Sequence, residues 1–113
     1  MSPGQVEYIK PTTILALSSK SANFVSDQFP LNNNPNCTLI MTTVLSSSFD
    51  ASAVPQGSLD GTTWIDLDGT STSVIGDDDV MWTLNGIQSL MYVRVNVVVN
   101  AGSSIVQILA RGA

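Results

Sequence analysis

The ten residues MYVRVNVVVN, Met91 to Asn100, alternate more regularly than the rest of the chain. Met91, Val93, Val95, Val97 and Val99 share one face, and Tyr92, Arg94, Asn96, Val98 and Asn100 share the other. A period of two with β-branched residues throughout predicts a half-buried strand. The NAGS that follows carries turn chemistry, and SIVQILA then repeats the apolar pattern, so the spacing predicts a C-terminal hairpin. CTLIMTTVL, Cys37 to Leu45, is apolar on both faces, which predicts a strand inside a sheet or one whose outer face meets a partner.

Shorter strands are predicted at TTILALSS, ANFVSDQF, TSTSVIG and VMWTLNG, the last two separated by aspartates, with a turn at Asn85-Gly86. FPLNNNPNC, Phe29 to Cys37, reads as a polar loop with two prolines. Helical periodicity is missing except for a possible turn around NGIQSL. Turn signals recur every eight to twelve residues through the second half, which predicts an all-β fold. The expectation is a single β-sandwich, jelly-roll or immunoglobulin-like, of about seven to nine strands. Residues 1–12 read as an extended N-terminal arm and 13–113 as the sandwich domain.

VPQGSLDGTTWIDLDG, Val54 to Gly69, could be a site or a set of turns. Asp60-Gly61 is a strong hairpin signal, because a type I′ turn needs positive φ at both central residues. A two-residue loop would set Gly57 opposite Trp64; a four-residue loop would set Leu59 opposite Trp64. Either register predicts Leu59 and Trp64 on one side, with the indole covering a strand glycine. Asp68-Gly69 would end the second strand. The aspartates are read as turn chemistry.

Composition sharpens this picture. The chain has 113 residues, fit for one domain, and only 12% of them are charged. That is about half the usual globular share, a liability for a free monomer and suited to a surface covered by neighbours. Net charge is −5, and the cations Lys10, Lys20, Arg94 and Arg111 are scattered. Without a basic stripe, neither nucleic acid nor an anionic membrane is an expected partner. No secretory signal or membrane-spanning apolar run is visible, so synthesis and retention in the cytoplasm are expected unless something else carries the product out. Cys37 stands alone and reads as a small buried hydrophobe.

Candidate chemistry is thin. The chain has no histidine, which removes Ser-His and Cys-His catalysis, and its two lysines show no Ser-Lys spacing. A carboxylate pair could be drawn from Asp60, Asp66, Asp68 and Asp77 to Asp79, but every one sits at a turn signal. Asp77, Asp78 and Asp79 could bind a hard cation, yet three adjacent side chains cannot all converge on one ion. A solvated loop is the better reading, and docking to a basic patch on a partner is a further one. Trp64, Trp82, Tyr92 and Tyr8 could form a sugar-stacking platform; core packing is the better reading. Neither an enzyme, a metal nor a cofactor is expected.

VPQGSLDGTTWIDLDG followed by YVRVNVVVNAGSSIVQILARG resembles a pattern in small β-sandwich structural proteins of tailed bacteriophages. In that family a GS-DG-tW hairpin precedes a YvRv strand and a final strand near the C-terminus. The resemblance covers about the last sixty residues. It implies a virion protein of the head decoration or cement type, many of which form trimers and clamp coat subunits with extended arms. The implied partners are the major capsid protein and further copies of the chain, at the capsid surface. The family supplies no catalytic residues. Expected contacts are Tyr8 and Ile9 in the arm, Asn32, Asn33 and Asn34 in the polar loop, and Asp77, Asp78 and Asp79. A neck, tail or fibre-base component and a carbohydrate-binding module are the alternatives.

Overall fold

Two strands of this protein are several times the usual length. In the computed structural model, which describes residues 11–67 and 71–113, β4 (Cys37–Ser58) has 22 residues and β8 (Tyr92–Gly112) has 21. An ordinary strand has about five or six. The others are β1 (Thr12–Lys20), β2 (Phe24–Val25), β3 (Phe29–Pro30), β5 (Ile65–Asp66), β6 (Thr72–Ile75) and β7 (Asp79–Leu84). All pairings are antiparallel, and the described residues are all-β.

β4 and β8 run side by side from Ser58↔Tyr92 to Cys37↔Gly112. Their register breaks between Val44 and Ala51. There Leu45 (φ 50) and Ser48 (φ 49) on β4, and Gly102 (φ 71) on β8, leave the extended region. Extra residues in a ladder bend and twist it. The bend lets one ribbon supply the centre of two layers. In the first layer, β1 flanks the second half of β8 and β7 flanks the first half of β4. In the second, β2 and β3 flank the first half of β8, while β5 and β6 flank the second half of β4.

The inward faces of both layers form one buried cluster. Ile14, Leu39, Met41, Val106 and Ile108 come from the first layer, and Phe29, Val74, Val93, Val95 and Val97 from the second. The layers also touch through polar groups: Trp82 Nε1 donates to Thr72 Oγ1 at 3.2 Å, and the Asp27 amide donates to the Ile14 carbonyl at 2.8 Å. At the bend, Thr43 is buried and its Oγ1 donates to the Gly76 carbonyl and accepts from the Asp78 amide, each at 2.8 Å. Ser46 Oγ and the buried Ser104 Oγ lie 2.8 Å apart. Ser104 Oγ also donates to the Val44 carbonyl at 3.1 Å, a backbone group beside the break in the ladder, while Thr43 pairs groups of the β6–β7 turn.

The sandwich, the central position of Cys37 to Leu45 and the eight strands among the described residues agree with the sequence reading; Thr12, assigned there to the arm, already belongs to β1. Three local expectations fail. The segment Phe29 to Cys37, read as a polar loop, begins with β3, and its Phe29 and Leu31 are buried in the core. The NAGS segment does not reverse the chain, because β4 offers a partner on both sides of it, and left-handed Gly102 serves a bend instead. The Asp60-Gly61 hairpin is also looser than a type I′ turn. Gly57 pairs with Ile65, and the connection runs from Ser58 to Trp64. Leu90 and Leu67, not Trp64, cover Gly57: a Cβ there would lie 2.6 Å from Leu90 Cδ1 and 2.9 Å from Leu67 Cδ2.

The bend tolerates only glycine at position 102, where a Cβ would fall 2.2 Å from the Ser47 and Ser48 carbonyl oxygens. Gly86 has a similar φ of +67 with nothing within 4 Å. Gly102→Ala should therefore cost about 2–4 kcal/mol in urea unfolding, against about 1 kcal/mol for Gly86→Ala. Equal losses at the two positions would contradict this account of the bend.

Candidate interaction surface

The predicted contact residues fall at two ends of the first layer. Asn32 and Asn33 are exposed at φ 50 and 65, left-handed values that Asn tolerates well. Asn34 is half-buried and packs over Gly112, whose missing side chain leaves it room. The Asn36 and Ala113 backbones exchange hydrogen bonds at 3.1 and 2.9 Å beside it. Pro11 lies at this same end, since Thr12 pairs with Ala110. Tyr8 and Ile9 lie outside the described residues. Asp77, Asp78 and Asp79 stand at the bend, beside Thr43 and Ser46. Cys37 to Thr43 separates the two groups by about 20 Å, so they do not make one site.

The acidic triplet is largely occupied by its own fold. Asp77 Oδ1 accepts from the Ser46 amide at 2.9 Å, which holds its carboxyl below the usual aspartate range. Asp78 Oδ1 accepts from the Asp79 amide at 2.9 Å. Among the described residues no group of three His, Cys, Asp or Glu is placed to hold a metal ion. The Asp60 carboxylate is likewise a turn element. Its Oδ1 accepts from the Thr63 amide at 2.8 Å, the Thr62 amide at 2.9 Å and Ser58 Oγ at 3.0 Å. Those bonds favour the charged form and push its pKa far down. Burial pushes the Cys37 thiol up to about 11, in keeping with a packed hydrophobe.

The two tryptophans do not share an open face. Trp82 is buried between the layers. Trp64 is half-buried on the outside of the second layer, with the Arg94 guanidinium 4.1 Å from its ring centroid. Arg94 Nε donates to Gln56 Oε1 at 2.9 Å, and Gln56 Nε2 donates to Asp66 Oδ1 at 3.0 Å. This ladder ties Trp64, β8, β4 and β5 together across one outer face. A sugar-stacking pair of indoles is not what the fold builds. The sequence reading missed the ladder, although the outward positions of Arg94 and Gln56 follow from the period of two.

The first layer's outer face is apolar across its centre. Met81 pairs with Ile40, and Ile40 with Leu109, so the three form a row over β7, β4 and β8. Met81 is 64% exposed and Ile40 37%. Beside the row, Pro11, Thr38, Ile40, Leu109 and Arg111 line a depression of about 310 Å³. A second hollow of about 500 Å³, with exposed Leu59 and Ile65 on its wall, lies near Gly57. Scattered apolar residues are normal on a surface, but a cross-strand row is not scattered.

No family model matches the chain, and no curated protein does. Among solved structures, it aligns with the crystal structure of the SPBc2 prophage-derived protein YomS at 14% identity and a TM-score of 0.59. That alignment covers 94% of this chain and 97% of the other. It also aligns with the structure of infectious bursal disease virus Gx strain at 10% identity and a TM-score of 0.46, over 98% of this chain and 35% of that one. The first likeness is one of fold over essentially the whole of both chains. The second is too slight to carry an argument.

The pH response follows from these carboxylates. Asp60 and Asp77 titrate lower in the folded than in the unfolded chain, so the stability they contribute is present above the ordinary aspartate range. It is lost as pH falls through their depressed values. With no histidine, the melting temperature should stay flat from about pH 8 to 5 and fall below about pH 4. Asp60→Asn should shallow that acid limb in thermal melts taken across pH. A transition centred near pH 6 would contradict the assignment.

Proposed function

We propose that this protein is a virion structural component of a tailed bacteriophage, and within that class a head decoration or cement protein. The observation that carries the reading is the end-to-end fold match to a prophage-derived protein of nearly the same extent. The hairpin and strand motifs of the second half point to the same class. The surface supports it too, with 12% charged residues and an apolar row across one layer.

On this reading the partner is the major capsid protein, bound at the capsid surface between coat subunits, with further copies of the chain beside it. Attachment works by burying outer strand faces, at about 25 cal/mol for each Å² of apolar surface removed from water. A modest gain at one site, repeated over the shell, resists internal pressure. None of this requires catalysis, and the polar groups described above serve turns, the bend and the Trp64 ladder.

Quantitative mass spectrometry of purified particles tests the proposal. A copy number comparable to the coat protein is expected. A handful of copies per particle would move the protein to the neck, tail or fibre base. Absence from particles would overturn the virion reading altogether.

A further inference from the structure

The free edges of the two layers differ in kind. β1 carries register shifts between Thr13 and Leu15 and again between Leu15 and Ser18, and such bulges twist an edge away from new partners. β2, β3 and β5 have two residues each, and β6 has four. β7 is different: six residues, DVMWTL, pair with β4 from Asp79↔Thr42 to Leu84↔Cys37 without a shift. It contains no proline, lysine or glycine, and among the described residues no strand pairs with its other side. A groove of about 490 Å³ lies along it, lined by Leu67, Met81, Thr83, Asn85 and Ile87.

The ladder determines which groups this edge presents. The Thr43 amide donates to the Asp78 carbonyl at 2.9 Å, so Asp78 points its backbone toward β4. In an antiparallel ladder that direction alternates, which turns Val80, Trp82 and Leu84 toward β4 as well. Asp79, Met81 and Thr83 therefore direct both N–H and C=O outward, the Asp79 N–H being held by Asp78 Oδ1.

We infer that the β7 edge is a self-association surface, on which β7 of a second copy pairs antiparallel about a twofold axis at Met81. In that register Met81 faces Met81 of the second copy and the two exchange both backbone bonds, while Asp79 faces Thr83 of the second copy and its C=O accepts from the Thr83 N–H, the Asp79 N–H staying with Asp78 Oδ1. The register preserves the in–out alternation, since Val80 then faces Trp82 of the second copy on the inner side. It is also compatible in charge. Asp79 is the one charged residue of β7, and it meets a hydroxyl rather than another carboxylate. The apolar row becomes continuous across the axis, running from Leu109, Ile40 and Met81 into the same residues of the second copy. The isologous contact closes at two subunits, which distinguishes it from the trimer implied by the phage resemblance. It requires no attachment to particles, so its outcome is separate from the copy-number measurement.

Sedimentation equilibrium of the full-length chain tests the inference, with the wild type expected at twice the 11.9 kDa chain mass. Met81→Lys sets two ammonium groups against each other at the axis and should weaken association at least about tenfold with an unchanged circular dichroism spectrum. Met81→Cys should give a covalent dimer with a short bis-maleimide, whereas the wild type, whose Cys37 is buried, should give none. A wild-type monomer at every concentration would overturn the inference, as it would if this edge served another protein. So would a trimer, a dimer indifferent to Met81→Lys, or failure of Met81→Cys to cross-link.

Discussion

The bend in the β4–β8 ribbon is the constraint on which the rest of the structure depends. A straight antiparallel pair of this length would be one long flat sheet with no way to bury either face. Breaking the register around Leu45 to Asp50 and opposite Gly102 lets the same two strands form the middle of both layers. Every other strand is then an edge added to one half of that ribbon. The cost is local strain at two non-glycine residues with positive φ, offset by Ser104 Oγ, which donates to the Val44 carbonyl, and by Thr43 Oγ1, which ties the β6–β7 turn to the bend. The core follows from the bend, because the inward faces meet only once the ribbon has folded over.

The same geometry decides what is left outside. Since the ribbon occupies the centre of each layer, the outer faces are broad and are built mostly from alternate residues of β4 and β8. In the second layer these positions include Gln56 and Arg94, and the Trp64 ring stacks on Arg94, so one patch of that face is held by its own polar ladder. In the first layer they hold Ile40 and Leu109, extended by Met81, and no described segment closes over them. Exposed apolar residues remain on both layers, with Ile65, Ile75 and Val98 on strands of the second. What distinguishes the first layer is that its apolar residues align in one cross-strand row, and the proposed assembly role rests on that row.

Legibility from sequence tracked how far each signal depended on its neighbours. The alternation in Met91 to Asn100 needs no context, and its inward valines are all buried or half-buried in the core. The two-faced apolar pattern of Cys37 to Leu45 correctly implied a central strand. NAGS is ambiguous in sequence because a glycine with positive φ serves a reversal and a bend equally well, and only the partner strand distinguishes them. SSSFDAS carried no strand signal, as its pairing is imposed by β8. Asp60 was correctly seen as a turn former, but Ser58 Oγ and three-residue spacing to Thr63 widened the loop and carried Trp64 to Arg94. Of the expected contacts, Asn32, Asn33 and Asp77 to Asp79 are exposed and Asn34 is half-buried, and their separation by part of β4 is set by the ladder and not by any local signal.

Edge strands complete the argument about how such a surface stays specific. A low-charge β-protein risks indiscriminate pairing wherever an edge is long and flat. Here β1 is bulged, and β2, β3 and β5 are too short to template anything. β6 pairs without a shift but over four residues, which leaves β7 as the longest regular edge among the described strands, continuous with the exposed apolar row. Irregularity elsewhere is what gives one edge its selectivity, and the bend that created the two layers also limits how far each edge can run.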